Sequence, residues 1–340
     1  MSLTIQQQAE YQAAVTGAAV CPRPGRGWIQ IEGKDRAAWL SNLVTNVVKT
    51  LKPGEGNYAF AVNLKGRCVF DGNILFDAER LWLDLDARLI SAALKHLDKY
   101  IITEDVRLKD RTAEFARTAI LGPKAHAVVA ALGFGNLVPM GQLQHVTGTI
   151  AGAEVRLIRH DFSGLATAEF VVPVGSMEAV VAAIEAAAAG VGVTRISQPV
   201  VDMLRVEAGI PASVEDIDDD VVPPETMQVE RGISYHKGCY LGQEVIERMR
   251  SHGVLPRRLI GLRLAGDAAP PRGTAIRIGE NEVGRVTSAA WSPTLGAMLA
   301  LGYLKTAYLK PSLAVTVGDG GGGQQGELVD LPVRRSLASS

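Results

Sequence analysis

YAFAVNLKGRCVFDGNILFDAERLWLDLD, residues Tyr58 to Asp86, holds three runs rich in β-branched and aromatic side chains. Lys65-Gly66 separates the first run from the second, and Asp77 to Arg80 separate the second from the third, so the stretch reads as a meander of antiparallel strands. Upstream, Trp28, Gln30 and Glu32 alternate as in a strand. Trp39, Leu40, Leu43, Val44 and Val47 then recur at helical spacing until Pro53-Gly54, which predicts a helix over that span.

Downstream the pattern repeats. A helix is expected at Ser91 to Tyr100, a strand in TAEFARTAILG (112–122), a helix in KAHAVVAALG (124–133), strands in TIAGAEVRLIRH (149–160) and ATAEFVVPV (166–174), and a helix from Met177 to Ala189. Helices set against antiparallel sheets are the α+β pattern. After Gly253 the texture changes to short strands broken by Gly and Pro, which predicts a separate small β-barrel or sandwich. Four glycines at 320 to 323 lack the Lys-Ser/Thr ending of a phosphate loop and read as a hairpin turn.

A chain of 340 residues exceeds one ordinary core and divides into two or three domains. With 47% hydrophobic and 21% charged residues it is a folding, soluble composition. Its 35 basic and 36 acidic side chains give a formal charge of -1, so no global field draws in nucleic acid or an anionic membrane. The first residues, MSLTIQQQAEYQAAV, lack the pattern of a signal peptide, and Met177 to Val193 is too short and too acidic to span a bilayer, so a cytoplasmic location is expected. Cys21, Cys68 and Cys239 are too few and too widely spaced for a complete zinc or cluster site, and the six histidines show no ligand spacing, so no metal is assigned.

Two segments have the residue types for chemistry. Lys237-Gly-Cys-Tyr-Leu-Gly-Gln-Glu244 precedes a helical run, Gln243 to Met249, and a cysteine near a helix start beside a lysine favours thiolate. Asp202-Met-Leu-Arg-Val-Glu-Ala-Gly-Ile-Pro211 reads as a short helix with Glu207 in its last turn. A carboxylate there opposes the helix dipole by about 0.3–1 kcal/mol, so it needs compensation, either a ligand with paired N–H donors or a nearby Arg. The acidic run Asp216 to Asp220 lacks the Gly and the final Glu of a calcium loop and reads as a solvated loop ending at Pro223-Pro224.

These segments resemble a known family. Lys237 to Glu244 is similar to the K-G-C-[FY]-x-G-Q-E signature of YgfZ-type folate-binding proteins in the glycine-cleavage T-protein superfamily, and Asp202 to Gly209 resembles that superfamily's D-x-L-R-x-E-A-G stretch. Gly284-Arg-Val-Thr-Ser288, Ser292-Pro293 and Ala300-Leu-Gly-Tyr303 resemble its C-terminal barrel, and the Asn63-Leu-Lys-Gly66 turn adds to the likeness.

The resemblance implies a three-domain α+β cloverleaf around a central folate channel. Residues 1–50 and 112–200 would form the first α+β domain, 51–111 and 201–252 the second, and 253–340 a β-barrel. Tetrahydrofolate or a one-carbon derivative would be the cofactor, bound by Glu207, Asn63, Tyr240 and Gln243, with Cys239, Lys237 and Asp71 as catalytic residues. The implied role is an accessory protein for assembly or repair of iron-sulfur enzymes, including those that modify tRNA, with such enzymes as partners. The alternative is a folate-dependent aminomethyl or related one-carbon transferase. Gly66-Arg-Cys-Val-Phe-Asp-Gly72 departs from the transferases' G-G-x-x-D-D-L, keeping one carboxylate, Asp71, and this departure favours the accessory role.

Overall fold

The computed structural model describes residues 3–253, 255–310, 313–318 and 322–334. Two helix-covered sheets, antiparallel but for the parallel pairing of Ala19–Pro22 with Thr194–Arg195, and a closed six-stranded barrel make the α+β architecture. Gly320 and Gly321 of the glycine run lie outside the described residues. No helix among the described residues is long and apolar enough to cross a membrane.

The meander forms as its sequence suggests: Glu55–Val62, Cys68–Phe76 and Leu81–Asp86 pair in turn, and the sheet continues through Arg26–Glu32 to Arg107–Asp110. Alternation sends Ile29, Ile31, Phe70, Ile74, Leu83 and Leu85 to one face, under helices Arg36–Ser41 and Ile90–Asp98. The opposite face presents Trp28, Tyr58, Phe60 and Trp82 to the centre of the molecule. Arg26–Glu32 and the helix after it therefore belong with residues 55–110, not with 112–200 as the expected boundaries had it. The cause is the antiparallel pairing of Arg26–Glu32 with Leu81–Asp86, a contact made far along the chain.

The other sheet runs Thr194–Arg195, Ala19–Pro22, Phe115–Leu121, Thr167–Pro173, Ala153–Arg159, His145–Ile150. Helices Ala125–Ala131 and Met177–Ala187 cover one face through Val128, Val129, Val180 and Ile184. The run expected as a strand at 149–160 is in part a hairpin turning at Ala151 and Gly152, both at positive φ, as tight two-residue turns require.

The expected long helix beyond Trp39 is shorter than its periodicity suggests. Helix Arg36–Ser41 stops after six residues, and Thr45 N–H donates to the Phe60 carbonyl. The Lys237 ammonium donates to the carbonyls of Ser41, Val44 and Asn46, the last two at 2.6 and 3.0 Å. A cation that satisfies carbonyls at a helix end offsets the hydrogen bonds the helix would have continued to make.

The strands Arg257–Leu264, Ala297–Lys305, Asn281–Ser292, Ala275–Ile278, Ala314–Val317 and Gln324–Val329 close the barrel. One core cluster joins all three lobes, combining Tyr58 and Trp82 with Ile158 and Val171 and with Leu299 and Tyr303 of the barrel. The acidic run is part of this junction and not a solvated loop. Asp216 is buried and accepts from Arg205, Thr287, Ser288 and the backbone N–H of Ala212, and Pro223 and Pro224 are buried as well.

Candidate functional site

A cavity of about 590 Å³ opens where the lobes meet, within the roughly 300–1,000 Å³ range of small-molecule sites. Asp71 lies on its wall, brought there by the strand Cys68–Phe76, and is 5% exposed. Its Oδ2 accepts from Tyr58 Oη at 2.8 Å and Ser213 Oγ at 2.9 Å, while Oδ1 is buried with no hydrogen-bond partner among the described residues. Burial pushes the carboxyl above its ordinary pKa, and the two hydroxyl donors offset part of that. One oxygen is thus pinned and the other is poised.

Around Asp71 the cavity is rich in arginine: Arg23, Arg26, Arg88, Arg205 and Arg231 all reach it. Behind the wall a buried ion network spans the two sheets. Arg26 donates to Asp84 Oδ1 at 2.7 and 2.9 Å, Arg117 meets Asp84 at 2.9 Å, and Glu169 accepts from Arg23 at 2.8 Å with His160 Nδ1 at 2.9 Å. Burial alone would raise both acids. Arg117 and Arg26 hold Asp84 below the ordinary carboxylate range, and His160 and Arg23 hold Glu169 well below it. Ligand atoms of Asp84, His160 and Glu169 come within 4.8 Å of one another, but three guanidiniums already neutralise the carboxylates and oppose a metal cation there.

The other residues singled out from the sequence lie elsewhere. Glu207 ends helix Gln198–Glu207, is fully buried, and is absent from the lining of the cavity. Its carboxylate accepts from Tyr11 Oη at 2.6 Å, Ser292 Oγ at 2.5 Å and Thr294 N at 3.0 Å, with Arg334 at 3.9 Å. These donors supply the compensation its position against the helix dipole requires. As a pterin anchor it would have to exchange them for donors of the ligand.

Lys237 and Cys239 line a separate hollow of about 280 Å³ with Ser41, Asn42 and Lys49. Cys239 is exposed. Burial, with the charge of Lys49 beside it, brings Lys237 down to about 8, although three carbonyls claim its protons. Tyr240 is buried in the central core with the Lys237 ammonium 4.9 Å from its ring centre. Gln243 Oε1 accepts from Tyr240 N, and Asn63 Oδ1 accepts from Lys65 N and Arg67 N, closing its own turn.

Gly242 adopts φ 75°, and a Cβ there would run into the Asn63 carbonyl. A Cβ on Gly66 would lie 2.8 Å from Val245 Cβ. The two glycines let the helix Gln243–His252 lie flush on the Asn63 turn. Sequence reasoning did not single out Tyr58, Ser213 or the cavity arginines. Arg205 and Asp202 sit in the quoted Asp202–Pro211 segment, but Tyr58 looks like any core aromatic of an alternating strand.

Residues 3–236 match the GCVT N-terminal domain, and residues 257–333 match the glycine cleavage T-protein C-terminal barrel domain. The chain belongs to the glycine cleavage T-protein family. A protein of Synechococcus elongatus named aminomethyltransferase is 28% identical over 297 residues, covering 85% of this chain and 76% of its own. One from Rubrobacter xylanophilus with the same name is 28% identical over 303 residues, covering 87% and 78%. The crystal structure of the glycine cleavage system aminomethyltransferase T from Bartonella henselae superposes with a TM-score of 0.84 at 20% identity, covering 96% of this chain and 89% of that one, which establishes the common fold. The expected accessory role for iron-sulfur enzymes, and with it the link to tRNA modification, is overturned: the relatives that match most of this chain are named as aminomethyltransferases.

Proposed function

We propose that the chain is a folate-dependent one-carbon transferase of the aminomethyltransferase type, working in the central cavity with Asp71 as its proton-handling carboxylate. The observation that carries this reading is Asp71 Oδ1, a buried and unpartnered oxygen on the wall of a cavity large enough for a folate. When bound, tetrahydrofolate supplies the amine nitrogens that accept the one-carbon unit. Asp71 contributes what that exchange asks of the protein, a carboxyl held in one orientation by Tyr58 and Ser213 and able to take or give a proton at Oδ1. Of the five arginines on its walls, Arg231 alone forms no ion pair among the described residues and can receive an anionic group of the ligand, and the core that joins the three lobes keeps the walls fixed.

Its raised pKa suits Asp71 to exchange protons closer to neutrality than an exposed aspartate would. The YgfZ-type placement within the family is part of the same reading, supported by the run from Lys237 to Glu244. A cytoplasmic location is supported by three free cysteines, two of them buried. The test is an assay with tetrahydrofolate and an aminomethylated lipoyl carrier protein. Formation of methylenetetrahydrofolate is expected, and its absence at saturating folate would refute the aminomethyl version.

A further inference from the structure

Four of the five arginines lining the central cavity are already matched with acids: Arg23 with Glu169, Arg26 with Asp84, Arg88 with Asp86 and Glu215, and Arg205 with Asp216. Arg231 differs. Among the described residues no carboxylate forms an ion pair with it, although its charge acts on Asp71. Its guanidinium carbon lies 4.1 Å from the centre of the Tyr58 ring, and its Nε is buried without an acceptor. The hydroxyl of the same tyrosine donates to Asp71 Oδ2 at 2.8 Å, leaving Asp71 Oδ1 unmatched.

Tyr58 is thus a spacer between a cation and a carboxylate that line one cavity. A guanidinium and a carboxylate in direct reach form a bidentate pair and satisfy each other. Here the guanidinium stacks on the ring face and the acid takes the hydroxyl, so each keeps unused hydrogen-bonding capacity. Buried polar capacity of this kind is expensive to leave unmet, and a ligand bearing the complementary groups relieves both ends at once.

We propose that Arg231 and Asp71 form a receptor for a small zwitterionic amino acid, with the ligand's carboxylate on the Arg231 guanidinium and its ammonium on Asp71 Oδ1. This inference rests on the reading of the cavity as the functional site and adds to it the chemical class of a second ligand. Recognition requires both ends: a carboxylate alone would use only Arg231 and an amine alone only Asp71.

The test is calorimetric titration of the full chain with glycine and N-methylglycine, and with acetate and methylamine as the two half-ligands. Arg231→Met should weaken both amino acids about ten- to hundredfold, the span expected for a lost charge-assisted hydrogen bond, and Arg231→Lys should recover part of the loss. Asp71→Asn should weaken the amino acids and methylamine but not acetate. Circular dichroism and melting temperature establish that each variant is folded. The proposal is overturned if neither amino acid binds the native chain, or if Arg231→Met binds them as the native chain does. Tetrahydrofolate titrated alongside separates the two ideas. Folate binding without amino-acid binding refutes this receptor and leaves the transferase reading standing. If folate binding alone depends on Arg231, the anion received is a folate carboxylate and the receptor is again refuted. Amino-acid binding that depends on Arg231 without folate binding supports the receptor and counts against the transferase reading.

Discussion

Glu207→Ala should destabilise the protein more than any other single change at the junction of helix Gln198–Glu207 with the barrel. The substitution removes one acceptor group and leaves three donors, Tyr11 Oη, Ser292 Oγ and Thr294 N–H, in a place where Glu207 itself is fully buried. An unsatisfied buried donor costs about 1–3 kcal/mol, so three would sum to several kcal/mol. Tyr11 Oη and Thr294 Oγ1 lie 3.1 Å apart and can satisfy each other, and water entering the vacated space can serve the rest. The expected loss is therefore about 3–5 kcal/mol, the range for breaking a buried charged network from one side. Glu207→Gln keeps the volume and one acceptor oxygen, which can retain Ser292 and Thr294, while its amide can donate to the Tyr11 oxygen. About 1–2 kcal/mol is expected. Urea denaturation, read as the midpoint at unchanged slope, measures both. If Ala and Gln cost the same, or if Ala costs under about 1 kcal/mol, the carboxylate is not what ties helix Gln198–Glu207, and Tyr11 of helix Ile5–Thr16, to the barrel.

Lys237→Met should destabilise by about 2–3 kcal/mol by stripping the donor from three carbonyls, with faster amide exchange confined first to residues 41–50. The folded pKa of Lys237, about 8, lies below the roughly 10.4 of an unfolded lysine, so between these values the unfolded chain holds more protons. Native stability should rise with pH across that window, and the rise should vanish in the variant. Asp71 has the opposite sense: its folded pKa is raised, so its contribution is fully present below the unfolded value and is lost as pH rises through the folded one. Asp71→Asn should accordingly melt at or above the native temperature at neutral pH, checked by calorimetry. A thiol reagent should label Cys239 alone in the native chain and all three cysteines after unfolding. Cys21 and Cys68 are buried with raised pKa values, Cys21 to about 12, so their thiolates are scarce as well as inaccessible.

The meander, the Met177–Ala187 helix and the strand-rich C-terminal lobe were legible because each depends on local periodicity and on turn residues such as Lys65-Gly66. Sheet membership was not. Arg26–Glu32 looks like a strand from its own residues, but nothing within it says that it pairs with Leu81–Asp86. The helix after Trp39 was overextended because Val44 and Val47 keep helical spacing, while the lysine that ends the helix lies near residue 240. Asp216 reads as a solvated acid from its own segment because its partners, Arg205, Thr287 and Ser288, come from two other segments. Asp71 could be picked out by its place in a known motif, whereas Tyr58, Ser213 and Arg231, which shape its surroundings, are distinguished only by three-dimensional contact.

The most direct test of Asp71 as the proton-handling group is the rate of methylenetetrahydrofolate formation by Asp71→Asn relative to the native chain, measured at matched folate occupancy. A fall of about 10²–10⁴-fold with folate binding retained is predicted, the usual contribution of a positioned acid or base. Equal rates in the two proteins, or no product from the native chain, would contradict the assignment.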